Sequence, residues 1–300
     1  IDQSTVPETN VDETNYTLAD MRGVDIDDEK WDDYINQFTV ESMENMFGNG
    51  GWGQPGDDEN GVPATLDLDS PYGYYSMRDG IGSGSGQNTW YCSAPMLAAT
   101  FNTELAKKVG DAFGEEAYQL RSTSGLYGNG LYGFGMNQHR SAFGGRNYEY
   151  YSEDPVLCGK MGTAEAEGAS EKGLVVYMKH YVLNDQESYR QANGYCAWVN
   201  EQAFREVYLR AWEIYMKEAT MTVKYYTVNP ETNTYEMAEK EMSAATGIMT
   251  CYNRIGTTFG GASVSINGIL RKEFGFTGTV LTDAGGQKST YMTTDLALRR

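Results

Sequence analysis

The chain has 300 residues, 40% hydrophobic and 22% charged, a globular mixture and not a disordered one. With a formal charge of −19 and a pI near 4.5 it would repel a nucleic-acid backbone or an anionic membrane. No apolar run approaches the roughly 18 residues of a membrane-spanning helix.

Residues 1–25 are polar, acidic and aperiodic, and are expected to form a linker or N-terminal extension; the folded domain is expected over 26–300. From Asp28 the spacing of Trp31, Tyr34, Ile35 and Phe38 predicts a helix, and Thr39 can cap a second one that Gly48 ends. "PATLDLD" (63–69) and "APMLAAT" (94–100) predict strands, and Asn102 caps a helix to about Arg121. "GLYGFGM" (130–136) predicts a weaker strand. A helix over 155–172 and a buried strand, "GLVVYMK" (173–179), follow. Glu201–Glu218 is a predicted helix, 222–243 a surface excursion, and "GIMTCY" (247–252) a strand. Ser263 opens a helix to Phe274, and "GTVLTD" closes the series. Such alternation predicts an α/β fold with a parallel sheet of about six strands, short of the eight in a closed (β/α)8 ring. Cys92, Cys158, Cys196 and Cys251 show no Cys-x-x-Cys spacing and read as reduced thiols. That favours the cytoplasm slightly over a secreted setting and leaves the compartment open.

In a parallel sheet the carboxyl ends of the strands build the site. These ends carry Asp69, Asn137 and Arg140, Lys179 and His180, Tyr252 to Arg254, and Asp283. A lone strand-end aspartate is ordinarily a cap and a lone histidine a core residue, but five polar endings at one mouth fit sugar chemistry. Cations and a histidine hold hydroxyls while a carboxylate attacks an anomeric carbon. A Gly-x-Ser-x-Gly elbow is missing, and two histidines without a His-Glu-x-x-His run argue against zinc. "GNGLYG" (128–133) matches a dinucleotide fingerprint only by accident, since no helix opens at its end. No metal or organic cofactor is expected.

The blocks "MNQHRSAFGGRNYEYYSEDPVLCGK", "MKHYVLNDQESYR", "GIMTCYNRIGTT" and "GFTGTVLTDAGG" resemble, in order, those of glycoside hydrolase family 3. The resemblance runs from about residue 28 to residue 290. It implies a TIM-like (β/α)8 barrel, incomplete at the C-terminal end of this chain, and retaining hydrolysis of terminal β-D-glucosides. Asp283 stands where the family keeps its nucleophile. Asp69, in "DSP" where the family has D-G-P, Arg140, Lys179 and His180 match sugar-holding positions. Tyr252, Met249 and Arg190 are weaker carry-overs, and "GGRN" (144–147) reads as structural.

Two departures matter. The residue after the nucleophile is commonly aromatic in the family and is Ala284 here. No general acid/base can be assigned: in the β-glucosidase branch it comes from a second, sandwich domain, so that domain or another chain is the expected partner, beside a β-linked glucoside or oligosaccharide. Glu149, Asp185 and Glu187 are the candidates within the chain. A β-xylosidase, or a silent carbohydrate-binding barrel or fragment, is the alternative.

Overall fold

The computed structural model of the chain describes residues 15–49, 52–69, 71–74, 88–123, 128–190, 193–229, 231–285 and 290–299. Two N-terminal helices, α1 (Lys30–Asn36) and α2 (Val40–Gly48), form where the aromatic spacing predicts them, and Thr39 Oγ1 caps α2 by accepting from Ser42 N at 3.1 Å. Residues 1–14 of the expected linker lie outside the described residues. Its remainder is fastened down: Leu18 N donates to Asn60 O at 3.1 Å, and Gln37 exchanges hydrogen bonds with the Tyr16 backbone.

The strands are β1 (Leu66–Asp69), β2 (Gly128–Tyr132), β3 (Val175–Tyr181), β4 (Cys196–Ala197), β5 (Thr220–Val228), β6 (Tyr235–Ser243), β7 (Gly247–Thr250), β8 (Arg254–Ile255), β9 (Thr258–Phe259) and β10 (Thr279–Leu281). Five of them make one parallel sheet in the order β1-β2-β3-β7-β10. Each new strand is added on the same edge, so sheet order follows chain order, which is the winding of a barrel wall. Among the described residues β10 does not pair with β1, and the sheet stays open.

The segment 94–100 is not a strand but the short helix α3 (Ala94–Ala98). Pro95 sits in its first turn, where a missing N–H costs nothing, and the run holds no β-branched residue before Thr100 to favour extension. Helices α4 (Thr103–Thr123) and α5 (Pro155–Glu171) start on side-chain caps: Asn102 Oδ1 accepts from Leu105 N at 3.0 Å, and Asp154 Oδ1 from Leu157 N at 2.7 Å. They cross at backbone contact, because a Cβ on Gly110 would lie 1.8 Å from Glu165 O and one on Gly168 2.1 Å from Lys107 O. The predicted 201–218 helix is divided into α6 (Glu201–Ala203), a π-helical turn over Phe204–Tyr208, and α7 (Arg210–Glu218), whose Trp212 and Tyr215 are fully buried. A second π-helical stretch, Ser265–Glu273, and α8 (Thr294–Leu298) complete the set.

The core lies between sheet and helices, with Leu68, Leu131, Val176, Met178 and Ile248 against Phe113, Met161 and Trp212. The expected surface excursion is the antiparallel hairpin β5–β6, held to the N-terminal segment by a Lys240–Asp25 ion pair. Strands β4, β8 and β9 form a small sheet from the chain that follows β3 and β7, beside the carboxyl ends of the main sheet.

Candidate active site

Parallel strands of one sheet deliver their last residues to one edge. At this edge β1 ends on Asp69, β3 on Lys179, His180 and Tyr181, and the chain leaves β7 through Tyr252 and β10 through Asp283. Lys179, only 3% exposed, donates from Nζ to Asp69 Oδ1 at 2.6 Å and lies 3.8 Å from Glu149 Oε2. A buried ammonium is tolerable only with such partners.

Glu149 is itself gripped by Arg146, whose Nη2 donates to Oε2 at 2.9 Å while Nε reaches Oε1. The remaining terminal nitrogen of Arg146, Nη1, is 3.0 Å from His180 Nε2. Guanidinium only donates, so Nε2 accepts and the imidazole proton belongs on Nδ1, facing Tyr150 Oη at 3.2 Å. Burial, then Arg146, Lys179 and Arg190, hold the His180 pKa well below its usual range. His180 is therefore neutral at pH 7, and its 3.5 Å approach to Asp283 Oδ2 is not an ion pair.

Asp283 accepts from the Ala284 N–H at Oδ1, 2.7 Å away. Oδ2 is buried without a hydrogen-bond partner, 3.5 Å from Arg190 Nη1. Burial raises the Asp283 pKa, opposed by the Ala284 N–H and by Arg190, Arg146 and Lys179. Arg190 is steered from both sides: Nε pairs with Glu187 Oε2 at 2.7 Å, and the guanidinium lies 4.5 Å over the Tyr252 ring. The Tyr252 hydroxyl donates to Ala284 O at 2.7 Å, which fixes the loop carrying Asp283. Met249, buried in β7, is in register with Leu281 beneath this loop.

Asp69, Lys179, His180, Arg190, Tyr252 and Asp283 thus converge. Arg140 does not. It is exposed, with its guanidinium 5.5 Å over the Tyr208 ring. Asn137 exchanges hydrogen bonds with the His180 backbone, and after a turn closed by Gly144 N to Ser141 O at 3.0 Å it is Arg146 that reaches the His180 ring instead. Sequence reasoning named Glu149 only as a candidate acid and left Arg146 in the structural block "GGRN", so neither was expected as a partner of Lys179 and His180. The signal that could have found them is the neighbouring pair Tyr150 and Tyr151, both buried like Glu149.

Of the candidate acids, Glu149 has both oxygens in the Arg146 fork. Burial pushes Asp185 up to about 7, against the pull of Arg140. It also raises Glu187, opposed by Arg190 and Arg146. Among the described residues no three His, Cys, Asp or Glu side chains converge as a metal site requires, and no helix is long and apolar enough to cross a membrane.

This geometry has counterparts. Residues 61–299 match the family described as the glycosyl hydrolase family 3 N terminal domain. Beta-glucosidase A of Butyrivibrio fibrisolvens is 32% identical over 269 residues, covering 85% of this chain and 27% of that protein. An exo-α-(1→6)-L-arabinopyranosidase of Bifidobacterium breve is 30% identical over 261 residues, covering 84% of this chain and 30% of that protein. The structure of beta-glucosidase 3B from Thermotoga neapolitana in complex with glucose superposes with a TM-score of 0.62 at 32% identity, covering 78% of this chain and 29% of that one. The chain spans under a third of the length of these relatives.

Proposed function

This chain belongs to glycoside hydrolase family 3, and from that premise we propose that it carries the nucleophile half of an exo-acting, retaining β-D-glucosidase. The observation that carries the reading is Asp283: one oxygen held by a backbone N–H, the other bare, beside Arg190 and the neutral His180. In the first step Asp283 Oδ2 attacks the anomeric carbon and the bond to the leaving oxygen breaks. A carboxylic acid from outside this chain's cluster protonates that oxygen. In the second step the same group takes a proton from water, whose oxygen displaces Asp283 and restores the β configuration. Asp69, Lys179 and Arg146 hold sugar hydroxyls, and their mutual charges compensate when the cleft is empty. The open five-stranded sheet is, in this reading, the first part of a TIM-like barrel, and a sandwich domain or second chain supplies the acid.

A 2-deoxy-2-fluoro-β-glucoside with a good leaving group tests this directly. The trapped sugar is expected on the peptide that contains Asp283, by mass spectrometry after digestion. A label on any other carboxylate would overturn the assignment. The arabinopyranosidase relative favours a second reading of the sugar, a pentopyranoside without the hydroxymethyl group. A panel of nitrophenyl glycosides separates the two.

A further expected result concerns pH. Glu187 places a negative charge beside Arg190 and so competes with Asp283 for it. Glu187→Gln leaves the guanidinium to Asp283 alone, which favours the ionised carboxylate and lowers its pKa. The acid limb of kcat/KM should move to lower pH. A limb that stays or rises in the pH profile counts against this coupling.

A further inference from the structure

Tyr291 stands where three segments of the chain meet. It follows Asp283 on the segment that leaves β10, is 9% exposed, and packs edge-on against Phe259 at 6.0 Å. Its hydroxyl lies 2.7 Å from Tyr252 O, on the segment leaving β7, and 3.1 Å from Arg190 O, on the segment leaving β3. Burial, aided by Cys251 and Asp283 and opposed by Arg254 and Arg190, pushes the phenol pKa up to about 12. The oxygen therefore keeps its one proton and shares it between the two carbonyls. Its surroundings hold the ring in place. The Arg254 guanidinium lies 4.8 Å over it while Nε donates to Asn193 O at 2.9 Å. Gly194, at a φ of 63°, leaves room for it, since a Cβ there would lie 2.7 Å from Tyr291 Cε2 and 2.9 Å from Tyr252 O.

The two carbonyls belong to the residues that hold Asp283. Arg190 brings Nη1 to 3.5 Å from Oδ2, Tyr252 donates to Ala284 O at 2.7 Å, and the Arg190 guanidinium lies 4.5 Å over the Tyr252 ring. Arg190 Nη1 and Asp283 Oδ2 are both buried without a hydrogen bond, so the pair does not fix its own spacing. That spacing is set from outside, by Glu187 on the arginine side chain and by Tyr291 on the backbone. The other groups facing Asp283 are the neutral His180 at 3.5 Å, the buried Cys251, and the cations Arg146 and Lys179, which Glu149 and Asp69 hold.

We propose that Tyr291 is a positioning residue for the nucleophile, its hydroxyl setting the distance from Arg190 to Asp283 through the carbonyls of Arg190 and Tyr252. The inference rests on the reading of Asp283 as nucleophile. Without that hydroxyl the two carbonyl oxygens lose their common donor and face one another across a buried space, so the segments part. Arg190 then recedes from Asp283, and the carboxyl holds its proton to higher pH.

The test is Tyr291→Phe in the full-length protein, which keeps the ring. For 4-nitrophenyl β-D-glucoside, kcat should fall about 10–100-fold with KM within about twofold, because Asp69, Lys179 and Arg146 still hold the sugar. The acid limb of kcat/KM should move up by about half a pH unit or more, opposite in direction to Glu187→Gln. Phe259→Leu is the control for packing: it thins the contact on the Tyr291 ring, keeps the hydroxyl, and should lower the melting temperature without moving the limb. Rates are taken per competent site, counted by the burst of dinitrophenolate from 2,4-dinitrophenyl 2-deoxy-2-fluoro-β-D-glucoside, so a partly folded variant is read on its folded molecules alone. A limb that stays within about 0.2 pH units, or a kcat that falls less than about threefold, overturns the proposal. So does an equal movement of the limb in Phe259→Leu, which would assign the effect to packing. If the wild-type protein places the trapped sugar on another residue, the nucleophile reading fails and this inference with it, an outcome read without any variant.

Discussion

Asp283→Ala should abolish turnover of β-glucosides, lowering kcat/KM by about 10⁴-fold or more, while the protein remains folded. The loss follows from the two-step chemistry, because Asp283 Oδ2 is the bare carboxylate oxygen that lies against Arg190, while Asp185 Oδ1, also without a partner, belongs to a side chain under the pull of Arg140. Glu149 is locked in its fork and Asp69 is taken by Lys179. Stability should not suffer. Burial raises the folded-state pKa of Asp283, so its contribution to stability is present below the unfolded pKa and lost as pH rises through the folded one. At neutral pH the ionised group is therefore a net burden on the fold, and the variant should melt at the same temperature or higher. Azide should restore part of the rate. The truncated side chain leaves room for a small anion between Arg190 Nη1 and His180 Nε2, each 3.5 Å from the deleted oxygen. A single displacement by that anion inverts the centre and yields the α-glycosyl azide. Activity within tenfold of wild type, or rescue giving only the β-azide, would remove Asp283 from the nucleophile's role.

How far the sequence reached depends on which physical signal each segment carried. β3 and β7 were legible because a run buried on both faces is apolar throughout and then stops on a polar residue. Helix α4 was legible from Asn102, whose side chain has one good use at that position. The 94–98 segment was not, since a short apolar run has the same appearance in a strand and in a helix, and only Pro95 argues for the latter. The β5–β6 hairpin hid for another reason: Tyr226, Val228, Tyr235 and Met237 face solvent on it, so apolar alternation does not mark its buried side. Within the site, strand-end residues were legible from the strands, whereas of the loop residues Arg190 was named only through the family resemblance and Arg146 was left as structural. A strand fixes where its last side chain goes, while the path of 140–149 depends on a turn whose closure no spacing rule predicts.

That turn decides the second large expected effect, the contrast between Arg146 and Arg140. Arg146→Ala strips Glu149, 2% exposed, of the fork that holds both its oxygens and leaves Lys179 at 3.8 Å as its nearest cation. Breaking a buried pair on one side costs about 3–5 kcal/mol, enough to lower the melting temperature by roughly 10 °C in a chain of this size. The same change removes the donor to His180 Nε2 and one of the charges that keep that ring neutral. His180 then gains affinity for a proton at the position that faces Asp283, and kcat/KM should fall by about 10²–10³-fold. Arg146→Lys keeps the charge without the planar fork and should lie between wild type and alanine. Arg140→Ala removes an exposed cation over Tyr208 and its pull on Asp185, away from the Asp283 cluster, and should change kcat/KM by less than about threefold. Thermal melts and kinetics on the three variants rank the two arginines. If Arg140→Ala proved the more damaging, the sugar would have to lie over the Tyr208 side of the mouth, and the cluster around Asp283 would not be where it binds.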